Sequence, residues 1–303
     1  MYGSNVKIPK PSDQGTLLYF HGKFGGGKRK HKDATADLLS DKEISGDDMA
    51  EVIVHLYKSE HLDSAKKEWQ AFVTWAKDRT IPWADDGGRF VPNSIKSEMD
   101  AEIVRIKPSI EGHLNKFFDS YDEQIKRWTD HGGKLSKGIE FPDKDKLRSK
   151  VGIKIVPGTV ADTNDIRAGG LSGDQLDRFI KDMQASEKDK LKKTMSHIVE
   201  RVEKVLTPVI TQCSAYTKDE NGNTGGKKIY ESMIGNVRNI AGLIEVFNIT
   251  RDPEIEAVRR RLINEICPLE TKDLKDSQYK RDNAVRNATS IKSQLGRFGA
   301  PRD

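Results

Sequence analysis

The chain has 303 residues, 33% of them charged and 35% aliphatic or aromatic, with a net charge of +5 at pH 7. This is long enough for a real core and too apolar for wholesale disorder, while the mean hydropathy of -0.69 suits long helices with one wet face. No run approaches the 18 apolar residues of a membrane span, no apolar signal core opens the chain, and the two cysteines form no redox or metal motif. We therefore expect a cytoplasmic protein with no cofactor, no metal and no membrane contact.

Residues 1–15 are rich in Pro, Ser, Asp and Gly and read as loosely ordered; Thr16–Phe20 reads as a short strand. The glycine-rich stretch that follows, from Gly22 to Arg29, fits G-x-x-x-x-G-K and then fails. A phosphate-binding loop places a magnesium-binding Ser or Thr after its lysine, and here the residue is Arg29. The loop reads instead as a glycine-rich turn with a basic tip.

Ser45 is expected to cap a helix whose apolar positions run Met49, Val52, Ile53, Leu56, Leu62, Ala65, Trp69, Phe72, Val73 and Ala76, with a gap at Lys58–His61. Thr80–Pro92 reads as a loop with two aromatic anchors. From Ile95 the apolar residues Met99, Ile103, Ile106, Ile110, Leu114, Phe117, Tyr121, Ile125 and Trp128 recur at three- and four-residue intervals. Such spacing is close to a coiled-coil heptad, and completing the stripe between copies would give a homo-oligomer. Pro108 inside it either kinks one helix or separates two.

Val151–Val160 alternates as a second strand. Ser172 and Gln175 form a candidate capping box for a helix through Met183. After a polar break at Gln184–Lys190, the stripe from Leu191 to Val209 faces a second one from Tyr230 to Phe247, an expected antiparallel helical hairpin joined by a glycine-rich tip. Asp252 and Pro253 read as an N-cap followed by proline at the first helical position. Residues 271–303 hold eight Lys or Arg against four Asp and few large apolar side chains, so they read as an exposed helix and a frayed end.

The expected fold is mainly α: long amphipathic helices in an elongated bundle with a minor β element near the N-terminus. Four segments follow. They are an N-terminal part with the basic loop (1–43), a helical region with a short strand near 151–156 (44–170), a helical hairpin plus capping helix (171–270), and a basic C-terminal tail (271–303).

Catalytic chemistry finds no foothold. Pro142-Asp143 before a strand suggests a metal-dependent nuclease, but the triplet Gly152-Ile153-Lys154 has glycine where the second carboxylate belongs. The stretch Gly170–Asp174 fails the last position of a nucleophile elbow, and His55 and His61 are wrongly spaced for one helix face. The chemistry-bearing feature left is positive charge. Lys23, Lys28, Arg29, Lys30 and Lys32 crowd around Phe24 and the glycines, and Lys280, Arg281 and Arg286 lead a second basic group. Cations with an aromatic partner are the usual equipment of a single-strand nucleic-acid binder.

The segments GKFGGGKRKH (22–31), GGRFVPNSIKSEMDAEI (87–103), FFDSY (117–121), FPDKDKLRSKVGIKI (141–155) and FNITRDPEI (247–255) resemble a family of uncharacterised, largely helical proteins found in phages and other mobile elements. The likeness spans most of residues 17–270. Members are often encoded near MoxR-type AAA ATPases and von Willebrand factor A-type proteins, so the resemblance implies an accessory or adaptor role, and no catalytic residues come with it. The sequence is thus read as a non-enzymatic phage-type accessory protein binding nucleic acid, plausibly single-stranded DNA in replication or recombination. The alternatives are an adaptor for a MoxR-type ATPase and a virion or assembly component.

Overall fold

A computed structural model describes residues 11–296 except 26, 47, 84–85, 161–172, 220 and 249–250. The expectations for residues 1–10, for the Ser172 cap and for the end of the basic tail lie outside those residues. The first half of the described chain contains α1 (Pro11–Gln14), β1 (Gly15–Lys23), β2 (Lys28–Lys30), α2 (Lys32–Asp41), β3 (Ile53–His55) and α3 (Glu60–Arg79). It continues with β4 (Ile81–Pro82), β5 (Arg89–Pro92), α4 (Lys96–Asp119), α5 (Tyr121–His131), α6 (Lys144–Lys150) and β6 (Gly152–Gly158). The second half is α7 (Gly173–Ala215), β7 (Tyr216–Lys218), β8 (Thr224–Gly226), α8 (Ser232–Phe247), α9 (Pro253–Arg261), α10 (Thr271–Asp276) and α11 (Gln278–Leu295). The fold is mainly α with a small sheet near the N-terminus, and no described helix is long and apolar enough to cross a membrane.

Two compact units divide the chain: one holds residues 1–18, 77–96 and 157–303, the other 19–76 and 97–156. In the first, β1 pairs antiparallel with β5 from Gly15↔Pro92 to Leu18↔Arg89, and β4 adds to the far side of β5. Within this unit the strands lie in the order β4-β5-β1. The expected loop at Thr80–Pro92 is therefore a hairpin. Its two aromatic anchors are real: the Trp83 and Phe90 rings stack at 5.1 Å and both are buried.

The helices of this unit bury one stripe each. Ile198, Val202, Leu206, Val209 and Cys213 of α7 face inward, as do Met233, Val237, Ile240, Ile244 and Phe247 of α8. Each large apolar side chain so buried contributes about 1.5–3 kcal/mol. The Arg201 guanidinium lies 5.2 Å over the Phe247 ring, so the end of α8 returns along α7 and the expected hairpin is antiparallel. The polar break before Leu191 is absent, because α7 runs through it. Asp252 caps α9 by accepting from the Glu254 and Ile255 amides.

The C-terminal segment departs most from its sequence reading. Up to Leu295 it is not an exposed tail: α11 lies along α7 in the broadest helix contact of the described structure. Its buried face is Arg281, Ala284, Ala288, Ile291 and Leu295. Two alanines bring the helix backbones close, and no row of large apolar residues is needed.

In the second unit α3 buries Leu62, Ala65, Trp69, Phe72 and Ala76. The helix starts at Glu60, with Ser59 Oγ accepting from the Leu62 amide; the expected start at Ser45 is wrong. Met49 and Ile53 are exposed and Ile53–His55 is extended, so four apolar residues shared a helical spacing without sharing a helix. The long stripe from Ile95 is two helices, parted at Ser120. Pro108 stays inside α4, where its missing N–H leaves the carbonyl of Val104, a residue 72% exposed, on the wet side. Met99, Ile106, Ile110, Leu114, Phe117 and Tyr121 of that stripe are buried within the chain, and Ile103, Ile125 and Trp128 are half-buried.

Candidate functional site

The basic loop forms a ribbon. β2 pairs antiparallel with β3 through Lys28↔His55, Arg29↔Val54 and Lys30↔Ile53. Backbone bonds from Leu56 N to the Gly27 oxygen and from His31 N to the Val52 oxygen extend it at both ends. β2 has no apolar residue and is exposed throughout. Its geometry comes from β3, where Val54 is buried and alternates with exposed neighbours, as expected of a half-buried strand. His31 then caps α2, its Nδ1 accepting from the Ala34 amide.

The glycines have a structural cause. A Cβ on Gly27 would come within 2.7 Å of the Tyr57 ring, and Gly25, at φ +52°, stands against the Tyr57 hydroxyl. The chain needs glycine there because it crosses a buried tyrosine, whose ring packs in turn on Phe117 at 5.3 Å and Tyr121 at 5.8 Å. Phe24 is half-buried. Burial holds the Tyr57 hydroxyl above its ordinary range, and the Arg29 charge opposes the shift. At neutral pH the phenol keeps its proton and can donate.

Beside the ribbon lies a cleft of about 390 Å³. It is lined by His55, Lys58 and the buried Leu56 and Tyr57, which form its floor, and by Gln124, Arg127, Trp128 and His131 of α5 with Gly132 after it. The four of α5 recur at i, i+3, i+4 and i+7, one side of a helix. The lining carries no carboxylate. Among the described residues Lys58 and Arg127 enter no ion pair, and neither do Lys23, Lys28, Arg29 or Lys32, whereas Lys30 Nζ lies 3.1 Å from a Glu51 carboxylate oxygen. Lys28 sits directly across the ribbon from His55, which places it beside the cleft, while Arg29, opposite Val54, lies on the alternate face of the strand.

Three constraints orient Trp128. Its indole N–H donates to the His55 carbonyl at 2.8 Å, Phe141 lies 6.5 Å away centre to centre, and Gly132 leaves the space that a Cβ would take 2.7 Å from the ring. Gln124 is also assigned by its bonds. Ser120 Oγ donates to the Phe117 carbonyl and accepts from Gln124 Nε2, which leaves Gln124 Oε1 buried with no partner.

No family model, curated protein or solved structure matches the chain.

The second basic group belongs to the other unit and is reduced there. Arg281 is only 4% exposed. Its guanidinium donates to the carbonyl oxygens of Leu274 and Lys275 and to Gln278, and lies 5.0 Å over the Tyr216 ring. It braces α10 against α11 and cannot reach a phosphate. Lys280 pairs with Asp273 at 2.7 Å, and Arg286 is exposed with a bond to Asn283. Asp143, the first residue of the nuclease reading, caps α6 by accepting from the Asp145 and Lys146 amides. Sequence reasoning missed Lys58, Gln124, Arg127 and His131 as site residues and read Trp128 as core. Their signal was the basic and aromatic face of α5, hidden by its place at the end of an apolar stripe.

Proposed function

We propose that the chain is a non-enzymatic accessory protein that binds nucleic acid through the β2–β3 ribbon and the adjoining cleft, with single-stranded DNA as its ligand. The observation that carries this reading is the pair Lys58 and Arg127, cations without carboxylate partners in a cleft with no acid in its lining, beside a ribbon whose Lys28 and Arg29 are likewise unpaired. Local positive charge of this kind attracts phosphate chains irrespective of sequence. The ribbon presents its cations on an extended strand, which can follow a phosphate backbone, and an oriented tryptophan stands beside it.

The reading is tested by fluorescence anisotropy with a labelled single strand at about 50 mM salt, where the electrostatic contribution is strong. Wild-type protein should bind. Replacing Lys28, Arg29 and Lys30 together with alanine should weaken binding to all sequences and flatten the salt dependence. Absence of binding by wild-type protein to any DNA or RNA under these conditions would exclude the reading.

A further inference from the structure

We infer that the cleft receives one unpaired nucleotide of a single strand, its base lying on Trp128 and its phosphate held by Lys58 and Arg127; this rests on the nucleic-acid reading above. A volume of about 390 Å³ falls at the small end of ligand pockets. A base still paired and stacked in a duplex cannot enter such a space without being extruded. The aromatic surface is fixed in advance by the His55 carbonyl, Phe141 and Gly132, so stacking on it costs little reorganisation. Every nucleobase has a π face to offer, which makes such a platform tolerant of sequence.

Gln124 adds a polar requirement. Its buried Oε1 has no partner, and the Ser120 bonds favour this orientation over the flipped amide. Gln124 is a lining residue, and a small shift of its side chain would let Oε1 accept from a ligand N–H beside the negative charge that Lys58 and Arg127 attract. Inorganic phosphate supplies the charge and has no ring N–H or π face. A nucleotide such as thymidine monophosphate supplies both, with its ring N–H and its phosphate.

The test uses the full chain with three probes: a labelled oligothymidylate, a labelled duplex of the same length, and thymidine monophosphate beside inorganic phosphate. The single strand should bind more tightly than the duplex. Trp128→Ala should weaken single-strand binding by about 5- to 140-fold, the range for loss of one stacked base, and change duplex binding by no more than about twofold. Trp128→Phe, which keeps a ring, should recover much of the loss. Gln124→Leu should weaken oligothymidylate binding and spare the duplex, and serves as the readout if Trp128→Ala does not melt like the wild type. Thymidine monophosphate should alter tryptophan fluorescence in the wild type and leave that of Trp128→Phe unchanged, and inorganic phosphate should do neither. Strand binding that Trp128→Ala and Gln124→Leu leave intact, or reduce equally for single strand and duplex, overturns the cleft assignment while nucleic-acid binding itself stands. Failure of every strand to bind removes both.

Discussion

Lys28, Arg29 and Lys30 are equivalent in the sequence and unequal in the fold, because only Lys30 is held by a carboxylate, Glu51, at 3.1 Å. A phosphate that reaches Lys30 must first displace Glu51, so Lys30 contributes less than a full contact. Four of the six cations without such partners, Lys28, Arg29, Lys58 and Arg127, each add about 0.7 to the slope of log affinity against log salt on a single strand. Together they give about -2.8, or roughly a 50-fold loss of affinity between 50 and 200 mM salt. Glu51→Gln frees Lys30 and steepens the slope by up to about 0.7, making the same loss roughly 130-fold. The exposed ion pair itself is worth little, so the folded state should melt close to the wild-type temperature. Anisotropy titrations of a labelled oligothymidylate at four or five salt concentrations measure the slope directly. Lys28→Ala should flatten it by about 0.7 and Lys30→Ala by less. An unchanged slope in Glu51→Gln, together with equal losses in Lys28→Ala and Lys30→Ala, would show that the ribbon does not meet phosphates in the geometry described.

Two further outcomes test the fold. Arg281→Ala removes a buried guanidinium from its carbonyl acceptors and from Tyr216; hydrogen bonds to charged groups are worth about 1.5–3 kcal/mol, so chemical denaturation should show a loss of at least that order, while strand affinity of the folded variant stays at the wild-type level. Burial above all, then the Tyr57 hydroxyl and the Asp122 and Asp143 carboxylates, pushes the Tyr121 phenol up to about 12, and burial also raises Tyr57. Because the folded chain holds these protons more tightly than the unfolded chain, stability should be untouched below about pH 10 and fall as pH rises from there towards 12; absorbance titration at the phenolate band should show these two of the seven tyrosines ionising last, and only on unfolding at their ordinary range.

The parts of the fold that were legible in the sequence are those where large apolar residues recur every three or four positions over a full helix. Leu62–Ala76, Met99–Tyr121 and Met233–Phe247 bury the side chains that the spacing picks out, except Val73 and Ile103, which are half-buried. The missed elements lack that signal for definite reasons. β2 is Lys-Arg-Lys, and it is a strand because β3 pairs with it. α11 buries alanines, whose small area leaves no stripe to read, yet small side chains are what allow its close approach to α7. The helix expected from Ser45 failed because Met49 and Ile53 keep the right spacing on exposed, non-helical chain, Ile53 opening β3, and the gap at Lys58–His61 was the true helix start. At the site, the basic loop was visible as charge, but its glycines pointed to a phosphate only because the tyrosine beneath them is thirty residues away in sequence. Trp128 ended an apolar stripe and was assigned to the core on that ground, although α5 turns that edge of the helix towards a cleft.

Tyr57 belongs to two neighbourhoods at once. Its ring is wedged among Phe117 and Tyr121 in the aromatic centre of its unit, and the same ring forms part of the floor of the cleft and the support for Gly25 and Gly27. Close packing does not let one side of a ring move while the other stays. The depth of the cleft and the tension of the ribbon are therefore set from below, by side chains that no ligand touches. A change as small as Phe117 to a slimmer residue would let the tyrosine settle inward, lower the floor and slacken the glycine crossing, so the surface inherits its shape from the interior.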